Sequence, residues 1–328
     1  MAKAWHLKSR PKGLPTSDNF ELKELTLPAL GEGMVRVKNL WLSVDPYMRG
    51  RMNDVKSYVS PFQVGEPMDG GAIGEVVEST ADELQPGDLV QHMAGWRDEA
   101  VVPARTAQKL PELGVAPELF LGVLGVTGAT AYFGLLDAAG AREGDIVFVS
   151  AAAGAVGSVV VQVAKAKGMT VIGSAGGEDK CTWVRSLGAD RVVDYRSGSI
   201  LKSLAAAAPD GIDVYFDNVG GDHLDAAFAL ARNNARFAMC GMIEAYNATE
   251  PTSFRFIQRI IAARIRLKGF IIFDYFPRLD EFHRDMGPWV ASGAVKSRET
   301  VVEGIEHMPD AFLGLFRGEN MGKMLVKL

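Results

Sequence analysis

Small residues recur at every third position in the heptad Ala151-Ala152-Ala153-Gly154-Ala155-Val156-Gly157. That spacing lets a backbone approach a pyrophosphate closely, and Gly157 lets a helix sit close to the strand before it. The helix that follows offers N–H groups and the positive end of its dipole to phosphates. Ala151, Gly154, Ala155, Val156 and Gly157 are therefore candidate dinucleotide contacts. About 20 residues further on, where a carboxylate would take both ribose hydroxyls of NAD, the chain reads Gly173-Ser174-Ala175-Gly176-Gly177. Just beyond lie Lys180 and Arg185, and Tyr195-Arg196 close the next expected strand. A lysine point charge and a tyrosine hydroxyl or ring suit a 2′-phosphate, which favours NADP over NAD and adds Ser174, Lys180 and Tyr195 to the candidates. Glu178 and Asp179 come later than the usual acidic position and suit the first turn of a helix.

The elements that must position these residues are legible around them. Val156, Val159, Val160 and Val163 recur at i, i+3, i+4 and i+7, with Gly168 placed to end the helix. Ile146 to Val149 form the short apolar run of a buried parallel strand. The alternation continues with a helix near 180–187, a strand near 191–194, a helix near 199–207 and a strand over 212–217. Strands near 235–240 and 267–273 follow, with helical stretches around 223–232 and 254–265. This pattern predicts a doubly wound parallel sheet with helices on both faces, placed at 123–295. Strand-like segments 34–44 and 72–78, separated by Gly and Pro turns, predict a β-rich domain over 1–122 and 296–328, which the strand candidate 322–328 rejoins. Ligands commonly bind in the cleft that two such domains leave.

The 328 residues carry a net charge of −5 and an apolar fraction of 48%, the profile of an ordinary globular protein. No basic footprint is present for nucleic acid or an anionic membrane. No apolar run approaches the ~20 residues of a membrane span, and Met-Ala-Lys-Ala-Trp-His lacks an apolar signal core, so a cytoplasmic location is expected. The two cysteines, Cys181 and Cys240, read as free buried thiols.

Six blocks, spread over nearly the whole chain, resemble the zinc-independent medium-chain dehydrogenase/reductase family. Within it they are similar to the branch of leukotriene B4 dehydrogenases, prostaglandin reductases, and curcumin and plant double-bond reductases. The blocks are Ser43-Val44-Asp45-Pro46-Tyr47-Met48-Arg49-Gly50-Arg51-Met52, Gly65-Glu66-Pro67-Met68, Gly125 to Tyr132, the Ala151 to Gly157 turn, Phe216-Asp217-Asn218-Val219-Gly220-Gly221 and Asn320-Met321-Gly322-Lys323. The resemblance implies an α/β protein with a GroES-like domain and a Rossmann domain, usually a homodimer. It also implies NADPH-dependent reduction of a carbon–carbon double bond conjugated to a carbonyl. By motif position it adds Asn218, Cys240 and Asn320 to the cofactor contacts, Cys240 through its backbone or as packing.

A zinc alcohol dehydrogenase would need three protein ligands and an open position. Where such enzymes carry Gly-His-Glu this chain has Gly65-Glu66-Pro67, and the usual first cysteine falls within Val44-Asp45-Pro46. His6, His92, His223, His283 and His307 are scattered without ligand spacing, so no metal is expected. Without a Lewis acid, an activated alkene remains reducible, because hydrogen-bond donors alone can hold the charge that develops on the carbonyl oxygen. The expected reaction places a hydride on the β-carbon of an enone or enal and a proton on the α-carbon. Tyr47 and Tyr58 are the candidate catalytic hydroxyls, each alternatively a packing or loop aromatic, with Tyr246 a third. Family members that carry a tyrosine eight residues before the phenylalanine of the Gly269-Phe270 pair differ from this chain, which has Ala262 there. Arg49 and Arg51 suit either a substrate carboxylate, the cofactor or an ion pair. Phe62, Met68, Trp96, Phe273 and Tyr275 are candidate walls for a small hydrophobic substrate. An NADPH quinone reductase of the same superfamily and a non-catalytic NADP-binding sensor stand as alternatives.

Overall fold

A computed structural model describes residues 1–328, which divide into two compact units, Met1–Leu121 with Glu299–Leu328, and Gly122–Arg298. The first is built on a seven-stranded sheet. Its order is Glu299–Glu303, Lys323–Lys327, Met34–Ser43, Ala72–Ser79, Leu89–His92 and Gln108–Lys109, with Glu99–Pro103 also pairing with Met34–Ser43. The 34–43 strand serves two cores. Val35 and Val37 pack with Val76 and Val90, whereas Leu42 joins Met48, Trp96 and Phe312. A register shift between Asn39 and Trp41 changes the alternation between them, as an extra residue in one strand does. Asn39 is buried at that shift, and its amide donates to the carbonyls of Ala94 at 3.1 Å and Arg97 at 2.8 Å. The last strand, Lys323–Lys327, runs antiparallel to Met34–Ser43 and parallel to Glu299–Glu303.

The second unit holds six parallel strands in the order Arg191–Asp194, Thr170–Ala175, Ile146–Val149, Ile212–Asp217, Ala231–Met239 and Arg266–Gly269. Chain order reverses beside Ile146–Val149. Side chains there are buried on both faces, with Phe148 stacked on Tyr215 at 5.1 Å and Tyr215 edge-on to Phe237 at 5.4 Å. The reversal opens a crevice at the carboxyl ends of Ile146–Val149 and Ile212–Asp217, the usual place for a dinucleotide in such a sheet.

Two elements differ from expectation. The helix expected over 254–265 is only Arg259–Ala262. Asp225 explains this, accepting from the Phe256 N–H at 2.9 Å and Arg255 Nε at 2.7 Å and so holding the preceding chain out of a helix. The strand expected over 267–273 stops at Gly269 and gives way to a 3₁₀ segment, Ile272–Arg278, that runs into a helix, Leu279–Ala291, with Pro288 inside it.

Candidate functional site

The turn after Ile146–Val149 is as tight as its small residues allow. Ala151 adopts a left-handed φ of 48°, and its carbonyl accepts from the Gly154 N–H at 2.9 Å. A Cβ on Gly157 would lie 2.3 Å from the Ala151 oxygen and 2.9 Å from Ala152 Cα, so glycine is required there. A Cβ on Gly154 would meet only the Ala151 oxygen, at 3.2 Å. The helix Gly157–Ala166 begins at this turn and is joined to it by the Ser158 N–H, which donates to the Gly154 carbonyl at 3.0 Å, and the Val159 N–H, which donates to the Val156 carbonyl at 3.1 Å, so the positive end of its dipole faces the turn.

Beside it, the ends of Thr170–Ala175 and Arg191–Asp194 bring together Gly176, Gly177, Lys180, Tyr195 and Arg196. Asp194 Oδ1 accepts from the Gly177 N–H at 3.0 Å and the Arg196 N–H at 2.9 Å, which ties the two strand ends and holds its carboxyl below the usual range. Tyr195 lies across Gly176 so closely that a Cβ there would be 2.5 Å from the hydroxyl, with Arg196 Nε 3.0 Å away. Lys180, in the first turn of Glu178–Ser186, has its pKa lowered by burial and then by the charge of Arg196. A lysine whose charged form is disfavoured by burial and by a neighbouring cation gains from an anion close by. Glu178 turns aside to Arg185 at 2.7 Å. Arg196 is thus a functional candidate that the sequence placed beside Tyr195 without a role; the signal was its position at a strand end opposite the glycines.

Ser174, expected as a cofactor contact, lies on the strand Thr170–Ala175 just before these glycines. It is fully buried, its Oγ pairs with His223 Nε2 at 2.8 Å, and its carbonyl accepts from the Ala152 N–H at 2.8 Å, so it supports the turn from behind.

At the crevice, Asn218 is fastened to the neighbouring central strand. Its backbone N–H donates to Ser150 Oγ at 2.9 Å and its side-chain amide to the Ser150 carbonyl at 2.8 Å. Asp217, fully buried, accepts at Oδ1 from the Tyr215 hydroxyl at 2.7 Å and the N–H groups of Val219 at 2.9 Å and Gly220 at 2.8 Å. The backbone N–H of Cys240 donates to the Asp217 carbonyl at 2.9 Å. Its thiol pKa is pushed up to about 12 by burial, with Asp217 adding to the effect, so a packing or backbone role fits.

The remaining candidates lie in the first unit. The Asn320 amide donates to the Gly322 carbonyl at 2.9 Å. Tyr47 opens the short helix Tyr47–Arg51 and is half-buried; burial and the charge of Asp45 raise its pKa, which keeps the phenol a donor. Asp45 is itself held by Lys323 Nζ at 2.6 Å and by the Ser43 hydroxyl. Tyr58 is 52% exposed on the segment after that helix. Arg51 pins this segment, forming a two-pronged pair with Asp69, donating from Nε to the Ser60 carbonyl at 2.8 Å and covering the Phe62 ring. Arg49 donates to Asn53 and to the Gly13 carbonyl, both at 2.8 Å. Both arginines therefore hold the fold. Phe62, Met68 and Trp96 are core residues rather than pocket walls, and Tyr275 is buried against Phe133; Phe273 alone of the five is substantially exposed.

No group of three or more His, Cys, Asp or Glu side chains is placed to hold a metal ion. His92 illustrates the alternative use of such a side chain. Its Nδ1 accepts from the Ala94 N–H at 3.1 Å and its Nε2 faces Asn39 Oδ1 at 2.9 Å, an arrangement that suits the neutral ring. Burial lowers its pKa to about 4. The depressed value means that its contribution is complete above pH 6.5 and is lost as pH falls toward 4, by about 3 kcal/mol in all. Urea unfolding of wild type and His92→Gln at pH 7 and pH 5 should show a shallower pH dependence in the variant, by about 2 kcal/mol between those values; equal slopes would reject this role.

The turn, the cation pair and the crevice together fit a dinucleotide carrying a 2′-phosphate, and the comparisons with known proteins point the same way. Residues 3–110 match the family model described as the N-terminal domain of oxidoreductase, and residues 155–291 the one described as zinc-binding dehydrogenase. The NADPH-dependent curcumin reductase of Escherichia coli strain K12 is 42% identical over 331 residues, covering 99% of this chain and 96% of that protein. Prostaglandin reductase 1 of Bos taurus is 40% identical, covering 99% of both. The crystal structure of CurA from Vibrio vulnificus in complex with NADPH superposes with a TM-score of 0.94 at 42% identity, covering 99% of this chain and 98% of that one. No helix is long and apolar enough to cross a membrane. The chain belongs to the medium-chain dehydrogenase/reductase family, in its zinc-independent branch of double-bond reductases.

Proposed function

We propose that this protein is an NADPH-dependent reductase of the carbon–carbon double bond of α,β-unsaturated ketones and aldehydes, acting without zinc. The observation that carries the reaction is full-length likeness, at 42% identity, to an NADPH-dependent curcumin reductase. A 2-alkenal reductase from Nicotiana tabacum, 39% identical over 98% of this chain, supports the same bond and substrate class. The site geometry supports the cofactor. Ala151, Gly154, Ala155, Val156 and Gly157 would hold the pyrophosphate, Lys180, Tyr195 and Arg196 the 2′-phosphate, and Asn218, Cys240 and Asn320 the remainder. When bound, NADPH supplies the hydride.

The protein's own task is to orient the substrate and to hold charge on its carbonyl oxygen. Tyr47 suits this, because a phenol kept protonated by burial and by Asp45 donates without needing to ionise. Tyr58, close enough to influence Tyr47 electrostatically, is the second hydroxyl. With a medium-chain 2-alkenal, NADPH oxidation should proceed unaffected by chelator, and Tyr47→Phe should lower kcat about 100-fold. Tyr58→Phe, on an exposed segment, should cost less. An unchanged kcat in Tyr47→Phe would remove that residue from the chemistry, and loss of turnover with chelator would remove the zinc-free reading. A small hydrophobic enone or enal as substrate, a homodimer and the cytoplasm complete the proposal. The homodimer is supported by the open edge of the parallel sheet, where all four residues of Arg266–Gly269 are exposed.

A further inference from the structure

We infer that His223 is a positioning residue for cofactor selectivity, holding the Tyr195 ring over Gly176 so that NADPH is distinguished from NADH; this rests on the NADPH reading above. His223 lies in the first turn of the helix Gly221–Leu230 and is buried. Its Nε2 is fixed by Ser174 Oγ at 2.8 Å, and Ser174 is itself inaccessible to solvent. The imidazole stacks on Phe148, with centroids 6.4 Å apart and planes 8° from parallel, and presents an edge-to-face contact to Tyr195 at 5.4 Å and 76°. Tyr195 is 38% exposed at a strand end. Its ring rests on two supports, the bare Cα of Gly176 on one side and the imidazole of His223 on another.

Burial lowers the pKa of His223 to about 4, so at neutral pH it brings no charge to the site. Its influence on a 2′-phosphate must pass through the placement of Tyr195, and with it the neighbouring Arg196. NADH lacks that phosphate and should not register the loss. An aromatic contact of this kind corresponds to about a 3- to 10-fold effect on an equilibrium.

The test compares His223→Gln, which keeps a polar group for Ser174 but no ring, with His223→Phe, which keeps the ring. In His223→Gln, KM for NADPH and Kd for adenosine 2′,5′-bisphosphate should rise about 3- to 10-fold, while kcat/KM with NADH stays within about twofold. His223→Phe should recover part of the selectivity, and the His223→Gln effect should vanish in a Tyr195→Ala background. Equal losses with both cofactors, or an effect that persists without Tyr195, would overturn the inference. Should the histidine variants not fold, Ser174→Ala, which frees the imidazole to turn while deleting no ring, must shift NADPH alone for the inference to stand. A wild type indifferent to the 2′-phosphate would remove the NADPH reading itself. A wild type that prefers NADPH, with variants of unaltered preference, would remove only the role of His223.

Discussion

Replacing both Lys180 and Arg196 with alanine should lower kcat/KM for NADPH by about 100- to 1000-fold and leave that for NADH within about twofold. Charge-assisted bonds to phosphate are worth about 10- to 100-fold each. Arg196 belongs at the lower end because it is exposed and solvent screens its charge. Lys180 carries more, since burial and Arg196 already lower its pKa, a cost that a phosphate between the two cations would relieve. Raising the salt concentration should weaken NADPH binding in the wild type and have little effect in the double variant. Steady-state kinetics with the two cofactors checks this. A parallel loss with both would place the cations in the scaffold rather than at the 2′-phosphate.

Gly157→Ala should be the most damaging single-methyl change in the pyrophosphate turn. Every atom its Cβ would strike belongs to backbone, with the Ala151 oxygen at 2.3 Å and the Ala151 carbon and Ala152 Cα both at 2.9 Å. No side chain can swing away, so the turn or the helix must move, at a cost of about 1–3 kcal/mol in stability. The displaced helix N-terminus should also weaken NADPH binding by about 10-fold or more. Gly154→Ala meets one atom at 3.2 Å and needs a shift of only a few tenths of an ångström, so it should retain most binding. Thermal unfolding and NADPH titration of the two variants give the comparison. Equal effects would mean that the close approach at Gly157 does not govern the site.

That difference between two glycines of one motif marks a limit of sequence reading. The strand, turn and helix over 146–166 were legible because valines repeat at helical spacing and the preceding run is uniformly apolar. Which glycine is indispensable depends on how the Ala151 carbonyl turns, and spacing carries no such information. The surroundings of Ser174 were hidden for a related reason. A strand buried on both faces lacks the polar–apolar alternation that would say which way each side chain points. Lys180 and Tyr195 could be singled out by residue type and position, but the partnership of Tyr195 with Arg196, and of His223 with both Ser174 and Tyr195, forms only when separate strands and a helix come together. Phe62, Met68 and Trp96 show that apolar character alone does not separate a pocket wall from a core. The apolar residues over 254–265 suggested a helix until Asp225, 30 residues earlier than Arg255 in the chain, claimed its backbone and side-chain partners.

The most direct test of the central claim is the position of deuterium in the product when the protein reduces an aryl butenone with NADPH deuterated at the transferable position. Proton and deuterium NMR should find one deuterium on the β-carbon of a saturated ketone. Deuterium on the carbonyl carbon of an unsaturated alcohol would contradict double-bond reduction and make the protein a carbonyl reductase instead.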